Sequence, residues 1–152
     1  MIDRVALTVA PAGDVIALDL WDASEPDDAL DDIRHIRVEP RRWWLFDAAD
    51  RADAVGARIG DAGALTAIGG GLMRATLAGP GWRALLTISG WFDSGDPGFA
   101  GGSVAATVIH HVPVWIAVTD EAECHVYMAA SYAPTLTELW TRAIYAAPPG
   151  MA

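Results

Sequence analysis

The stretch Leu77–Thr107, LAGPGWRALLTISGWFDSGDPGFAGGSVAAT, decides the reading of the chain, because its punctuation lays down a strand end, a turn, a helix, a loop and a new strand in quick succession. Gly79 can take the backbone angles of a strand-to-helix turn, and Pro80 suits a first helical position, where its missing N–H costs nothing. Trp82, Leu85 and Leu86 then recur at i, i+3 and i+4, which makes one apolar face, and Gly90 supplies a left-handed stop. This predicts a short helix packed on a sheet. Gly, Pro, Asp and Ser crowd the following loop, with Phe92 and Phe99 as its apolar anchors, and a strand resumes near Val104.

Working outward, Val104–Ile109, Val114–Val118 and Cys124–Ala130 alternate as three strands, with turns at His110–Pro113 and Asp120–Glu123. A meander is expected. Beyond it, Leu136, Leu139, Trp140, Ala143 and Ile144 repeat at helical spacing, Thr135 and Glu138 match a capping box, and Pro148-Pro149-Gly150 stops the helix. On the other side, Leu65–Ile68 and Leu72–Leu77 read as strands joined by a Gly69–Gly71 turn. A phosphate cradle would need a lysine, a hydroxyl and a following helix there, but a strand follows. Asp47 is placed to cap a helix carrying Ala48, Ala52, Val55 and Ile59 on one face, ended by Gly60. Ile36–Val38 and Trp43–Phe46 are strand segments around Pro40, which confines that point to an edge or bulge.

Residues 1–22 read as an N-terminal hairpin, Arg4–Val9 and Val15–Leu20, around a turn containing Gly13. Residues 23–35 form an acidic connection with Glu25, Asp27, Asp28, Asp31 and Asp32. It lacks the glycine and closing glutamate of a calcium loop, so the reading is a solvated, mobile link. Residues 147–152 are a tail. The fold class expected is α+β: a single compact domain, a mixed or antiparallel sheet with helices packed on one face.

Composition narrows the function classes. The 152 residues suffice for one core without a staple. Twenty acidic residues face ten basic ones, all arginine, for a formal charge of −10. Nucleic acid and anionic membrane surfaces are therefore poor partners, since Arg41-Arg42 is the only adjacent basic pair. No apolar run is long enough to span a bilayer, and the N-terminus lacks the pattern of a secretory signal. With one cysteine, Cys124, no internal disulfide forms, which fits a cytoplasmic location.

Catalytic, cofactor-binding and metal residues are all expected to be none. His110-His111 and Cys124-His125 invite a zinc reading, but adjacent strand residues point to opposite faces, and two ligands make no site. Cys124 reads as a small buried apolar residue. Ser103 and Ser131 have no neighbouring histidine, and no Gly-x-Ser-x-Gly elbow occurs. Asp93 and Asp96 are placed to shape a turn rather than to act as a carboxylate pair. The candidate interface is Trp43, Trp44, Arg41 and Arg42. Of the two adjacent indoles one should face the core and the other away, where it either marks an interface or is covered by the chain's own helices or Trp21.

Leu77, Gly79-Pro80, Ala84-Leu85-Leu86, Asp93, Phe99 and Thr107, with PRRWWL at Pro40–Leu45 and the Ser131–Trp140 segment, together resemble the gamma subunit of heterotetrameric sarcosine oxidase. That family shares the folate-binding fold of glycine-cleavage aminomethyltransferases. The resemblance covers Ile36–Ile144, within a gamma-like region spanning 36–146. It implies a bacterial, noncatalytic scaffold subunit with no cofactor of its own, whose partners are larger alpha and beta subunits that hold flavin, NAD and folate. The complex implied oxidises sarcosine to glycine and passes the one-carbon unit to tetrahydrofolate. Two other functions stay open: a standalone folate or small-molecule binding protein or folate-dependent methyl transferase, and a homo-oligomer of unknown role.

Overall fold

The computed structural model describes residues 4–22 and 25–146. The chain divides into two compact units, one of Met1–Ala10 with Met73–Ala152, the other of Pro11–Leu72 inserted between them in sequence. Among the described residues nine strands form two sheets rather than the one expected. The first is five-stranded in the order β1-β6-β9-β8-β7, from Ala6–Pro11 (β1), Leu72–Ala78 (β6), Val104–Ile109 (β7), Val112–Asp120 (β8) and Glu123–Ala129 (β9). The second is four-stranded in the order β3-β4-β2-β5, from Val15–Leu20 (β2), His35–Glu39 (β3), Arg42–Phe46 (β4) and Gly63–Ala67 (β5).

The N-terminal hairpin is therefore corrected. β1 pairs with β6 and β2 with β4 and β5, so the turn at Gly13 changes sheets instead of closing a hairpin. The Gly69–Gly71 turn does the same between β5 and β6. A short glycine turn between two alternating segments does not say which edge each segment will join; the apolar faces decide that. Glycine is required at 69, where a Cβ would lie 1.9 Å from the carbonyl oxygen of Gly13.

In the five-stranded unit, β7, β8 and β9 form the predicted meander, antiparallel in register Val104↔Ala117 and Trp115↔Tyr127. The helices Trp82–Ile88 (α2) and Ala133–Tyr145 (α3) pack on one face of this sheet. Trp82, Leu85, Leu86, Leu136 and Trp140 are all fully buried there with Ile116, Val126 and Met128. The chain leaves α2 as predicted. Gly90 has φ +109, its N–H meets the Thr87 carbonyl, and the Trp91 N–H reaches back to Leu86, a Schellman stop. Phe99 anchors the loop that follows, edge-on to Trp91 at 4.9 Å between ring centres, while the Phe92 side chain lies outside what the structure describes. The buried Ser89 hydroxyl donates to the Leu85 carbonyl and accepts from the Trp140 indole at 3.0 Å, tying α2 to α3. The capping box on α3 does not form. A 3-10 turn, Ala130–Tyr132, leads straight into Ala133, and Thr135 lies inside the helix with its predicted partner Glu138 paired to Arg142 instead. Pro148-Pro149-Gly150 and the rest of the predicted tail lie outside the described residues.

In the four-stranded unit all strand pairs are antiparallel. Ile16, Leu18, Leu20, Trp43 and Leu45 share one face and bury against Val55 of the helix Ala52–Ile59 (α1). Asp47 does not cap that helix. It sits at φ +53, and the Asp14 carboxylate accepts from the Ala49 N–H at 2.8 Å, so the cap comes from a residue distant in sequence. Gly60 ends α1 with φ +58. The acidic connection is more than a solvated link: Leu30 and Ile33 enter the core, while Asp28 pairs with Arg58 and Glu25 with Arg37. The density of charge hid this anchoring, because only two apolar side chains in the run carry it.

Candidate functional site

β2 runs out through Asp19, Leu20 and Trp21 beside the turn from β3 to β4, Glu39-Pro40-Arg41-Arg42, and together these seven residues line a concavity of about 550 Å³. Pro40 and Arg41 make the tight connection, and the Leu20 N–H binds the Arg41 carbonyl at 2.9 Å, which locks strand end to turn. Asp19 and Arg42 are cross-strand partners, so both side chains project from the same face. Their ion pair is short, 2.6 Å from Nε to the carboxylate, with Glu39 at 3.9 Å from the same guanidinium. The hydrogen bond to Asp19 raises the Arg42 pKa above its usual value; desolvation opposes this, and the charges of Asp19 and Glu39 add to it.

Trp21 is 60% exposed, yet its backbone is fixed on both sides. Its N–H meets the Ala62 carbonyl at 2.9 Å, and its own carbonyl accepts from the Arg41 guanidinium at 2.7 Å. An exposed indole on a fixed backbone beside an exposed arginine is the arrangement found at protein contact sites, where Trp and Arg are enriched.

The expected interface tryptophans lie elsewhere. Trp43 and Trp44 do point to opposite faces, but each is 3% exposed, so neither offers apolar surface. Trp43 joins the core, with the Arg37 guanidinium 5.0 Å over its ring, and Trp44 is buried on the other face of β4. A strand covered on both faces gives both indoles cover, which the sequence of β4 alone does not reveal. Arg41 and Arg42 both line the concavity. The exposed indole beside them is Trp21, a lone tryptophan just past the last alternating position of a strand.

The other candidates separate in the five-stranded unit. Cys124 is fully buried in the core, and burial pushes its thiol pKa up, so it stays a protonated thiol. His125 lies on the opposite face, 3.4 Å from the Glu123 carboxylate. His110 and His111 form the two-residue turn between β7 and β8, both at positive φ. Asp96 shapes its turn by accepting from the Gly98 N–H. Among the described residues no three His, Cys, Asp or Glu side chains cluster as metal ligands, and no helix is long and apolar enough to cross a membrane.

No protein-family model matches the chain, and no curated protein matches it in sequence. Solved structures do. A chain of heterotetrameric sarcosine oxidase from Corynebacterium sp. U-96, solved with pyrrole 2-carboxylate, superimposes with TM-score 0.79 at 16% identity, over 92% of this chain and 83% of that one. The two chains share one fold. Glycine cleavage system aminomethyltransferase T from Bartonella henselae has the same fold at TM-score 0.65 and 16% identity, but this chain spans 45% of its length. The ligand-free regulatory subunit of aspartate kinase from Thermus thermophilus follows at TM-score 0.51 and 17% identity, covering 94% of this chain and 99% of that one. The sarcosine-oxidase-like fold thus extends over nearly the whole chain, beyond the 36–146 region that its motifs marked out.

Proposed function

We propose that the chain is a noncatalytic structural subunit of a heterotetrameric sarcosine-oxidase-like complex, which oxidises sarcosine to glycine and passes the one-carbon unit on. The observation that carries this reading is the degree of likeness: the sarcosine oxidase chain superimposes with TM-score 0.79, against 0.65 for the aminomethyltransferase and 0.51 for the aspartate kinase regulatory subunit. The chemistry of the side chains supports the same role. The only cysteine is a buried, protonated thiol, and the polar cluster of the concavity, Asp19-Arg42-Glu39, is an ion network built on one guanidinium rather than an acid poised beside a base.

The partners proposed are the larger alpha and beta subunits, in the cytoplasm of a bacterium. A tagged copy of the chain, expressed in its native host, should retain two larger polypeptides and sarcosine-dependent peroxide formation on the resin. The chain purified alone should be colourless and inactive with sarcosine. A flavin absorbance band surviving dialysis of the isolated chain, or turnover by it, would sink the proposal.

A further inference from the structure

The concavity beside Trp21 combines three properties that specify what fits it. First, its fixed charges are unequal in availability. Asp19 and Glu39 are both engaged by Arg42, at 2.6 and 3.9 Å, whereas Arg41 has no carboxylate of the described residues within ion-pair distance and donates to a neutral backbone carbonyl. The four side chains sum to zero, and Arg41 is the guanidinium among them left open to an incoming anion. Second, a guanidinium has five N–H donors in a rigid fork, and the Trp21 carbonyl takes one, so a bidentate edge remains for a planar anion. Third, the adjacent indole is exposed on a backbone already fixed, ready to cover an apolar side chain with only its own rotamer left to order.

We propose that this concavity docks an acidic segment of a partner polypeptide, Arg41 taking a carboxylate in bidentate fashion and Trp21 packing on an apolar side chain next to it. The inference rests on the reading of the chain as an assembling subunit and names the chemistry of the contact. A small carboxylate alone would leave the indole uncovered.

The test is a titration of the isotope-labelled full chain, following the Trp21 indole N–H and the Arg41 Nε–H. The probe is a blocked Leu-Glu-Glu-Leu peptide, with Leu-Lys-Lys-Leu and sodium acetate as comparisons. Saturable shifts with the glutamate peptide are expected, weakened at least tenfold in Arg41→Ala and in Trp21→Ala, less in Arg41→Lys, and unchanged in Arg51→Ala, which lies outside the concavity. Equal shifts with the lysine peptide, no saturable shift, or acetate binding as tightly as the peptide would each overturn the proposal. Capture of co-expressed larger subunits separates it from the subunit reading. If wild type captures them and Arg41→Ala and Trp21→Ala do so equally well, the docking site is wrong and the reading stands. If the peptide binds as expected but no subunit is captured, the docking site stands and the reading falls.

Discussion

Two arginine–tryptophan pairs in this chain look alike on paper and differ in burial and in what their donors meet. Arg83 follows the fully buried Trp82, lies 4.3 Å over its ring, and sends its guanidinium to the carbonyls of Ser94 at 2.8 Å and Phe99 at 2.5 Å. It binds the glycine loop after α2 to the helix itself, helped by the buried Ser94 hydroxyl, which bonds the Arg83 carbonyl at 2.8 Å and Thr87 at 2.6 Å. Arg41, in contrast, makes one hydrogen bond to the backbone of an exposed Trp21. The lesson is that the donor inventory, not the residue pair, tells a structural arginine from one available to a partner.

The largest effect should come from the core beneath the first pair. Leu85→Ala is expected to cost about 2–5 kcal/mol, the usual range for a fully buried leucine, measured by denaturant unfolding; a midpoint shift within error would show that the α2 face is wrong. Arg83→Ala removes charged donors from loop carbonyls, so a loss of about 1.5–3 kcal/mol is expected. Proteolysis of the 91–103 loop should rise with it. If Arg83→Ala is neutral, the contrast between the two arginines collapses.

Cys124 adds a pH dependence to the same core. Its folded pKa is raised by burial above the ordinary thiol value of 9.0, so above that value the unfolded chain ionises while the folded thiol keeps its proton. The folded state then binds more protons than the unfolded one, and stability falls as pH rises, by up to about 1.4 kcal/mol per pH unit. Cys124→Ala should remove that slope in urea melts run above pH 9.0, and the wild-type thiol should react with a disulfide reagent only on unfolding.

Smaller effects belong to the surface. His110 and His111 hold φ of +51° and +69° in the β7–β8 turn, where an asparagine followed by a glycine is preferred. The double substitution His110→Asn with His111→Gly should raise stability by about 1 kcal/mol, read from the thermal midpoint. At the bottom of the scale, Trp21→Ala and Arg41→Ala should change stability by no more than about 0.5 kcal/mol while weakening docking at least tenfold. That dissociation of stability from binding is what the comparison requires.

How much of this was legible in the sequence follows from the range of the interactions. The α2 face, its Gly90 stop, the meander and the α3 core face are local patterns, and each stands where its spacing put it. The features that were not legible depend on distant partners. Asp14 caps the segment before α1 from far upstream, Gly69 is set by the carbonyl of Gly13, and β1 finds β6 across an inserted unit. The site divides the same way. Arg41 and Arg42 stand out as an adjacent basic pair and line the concavity, whereas the exposed indole expected at Trp43 or Trp44 is buried at both, because strand alternation gives direction but not cover.

The central claim is that this chain is a subunit, and its assembly state tests that most directly. Sedimentation velocity should be run on the purified chain and on the chain co-expressed with the larger subunits. The account predicts a folded species alone that shifts entirely into one heteromeric boundary carrying sarcosine oxidase activity. Larger subunits that sediment as an active complex without it, leaving the chain in a separate slow boundary, would contradict the account.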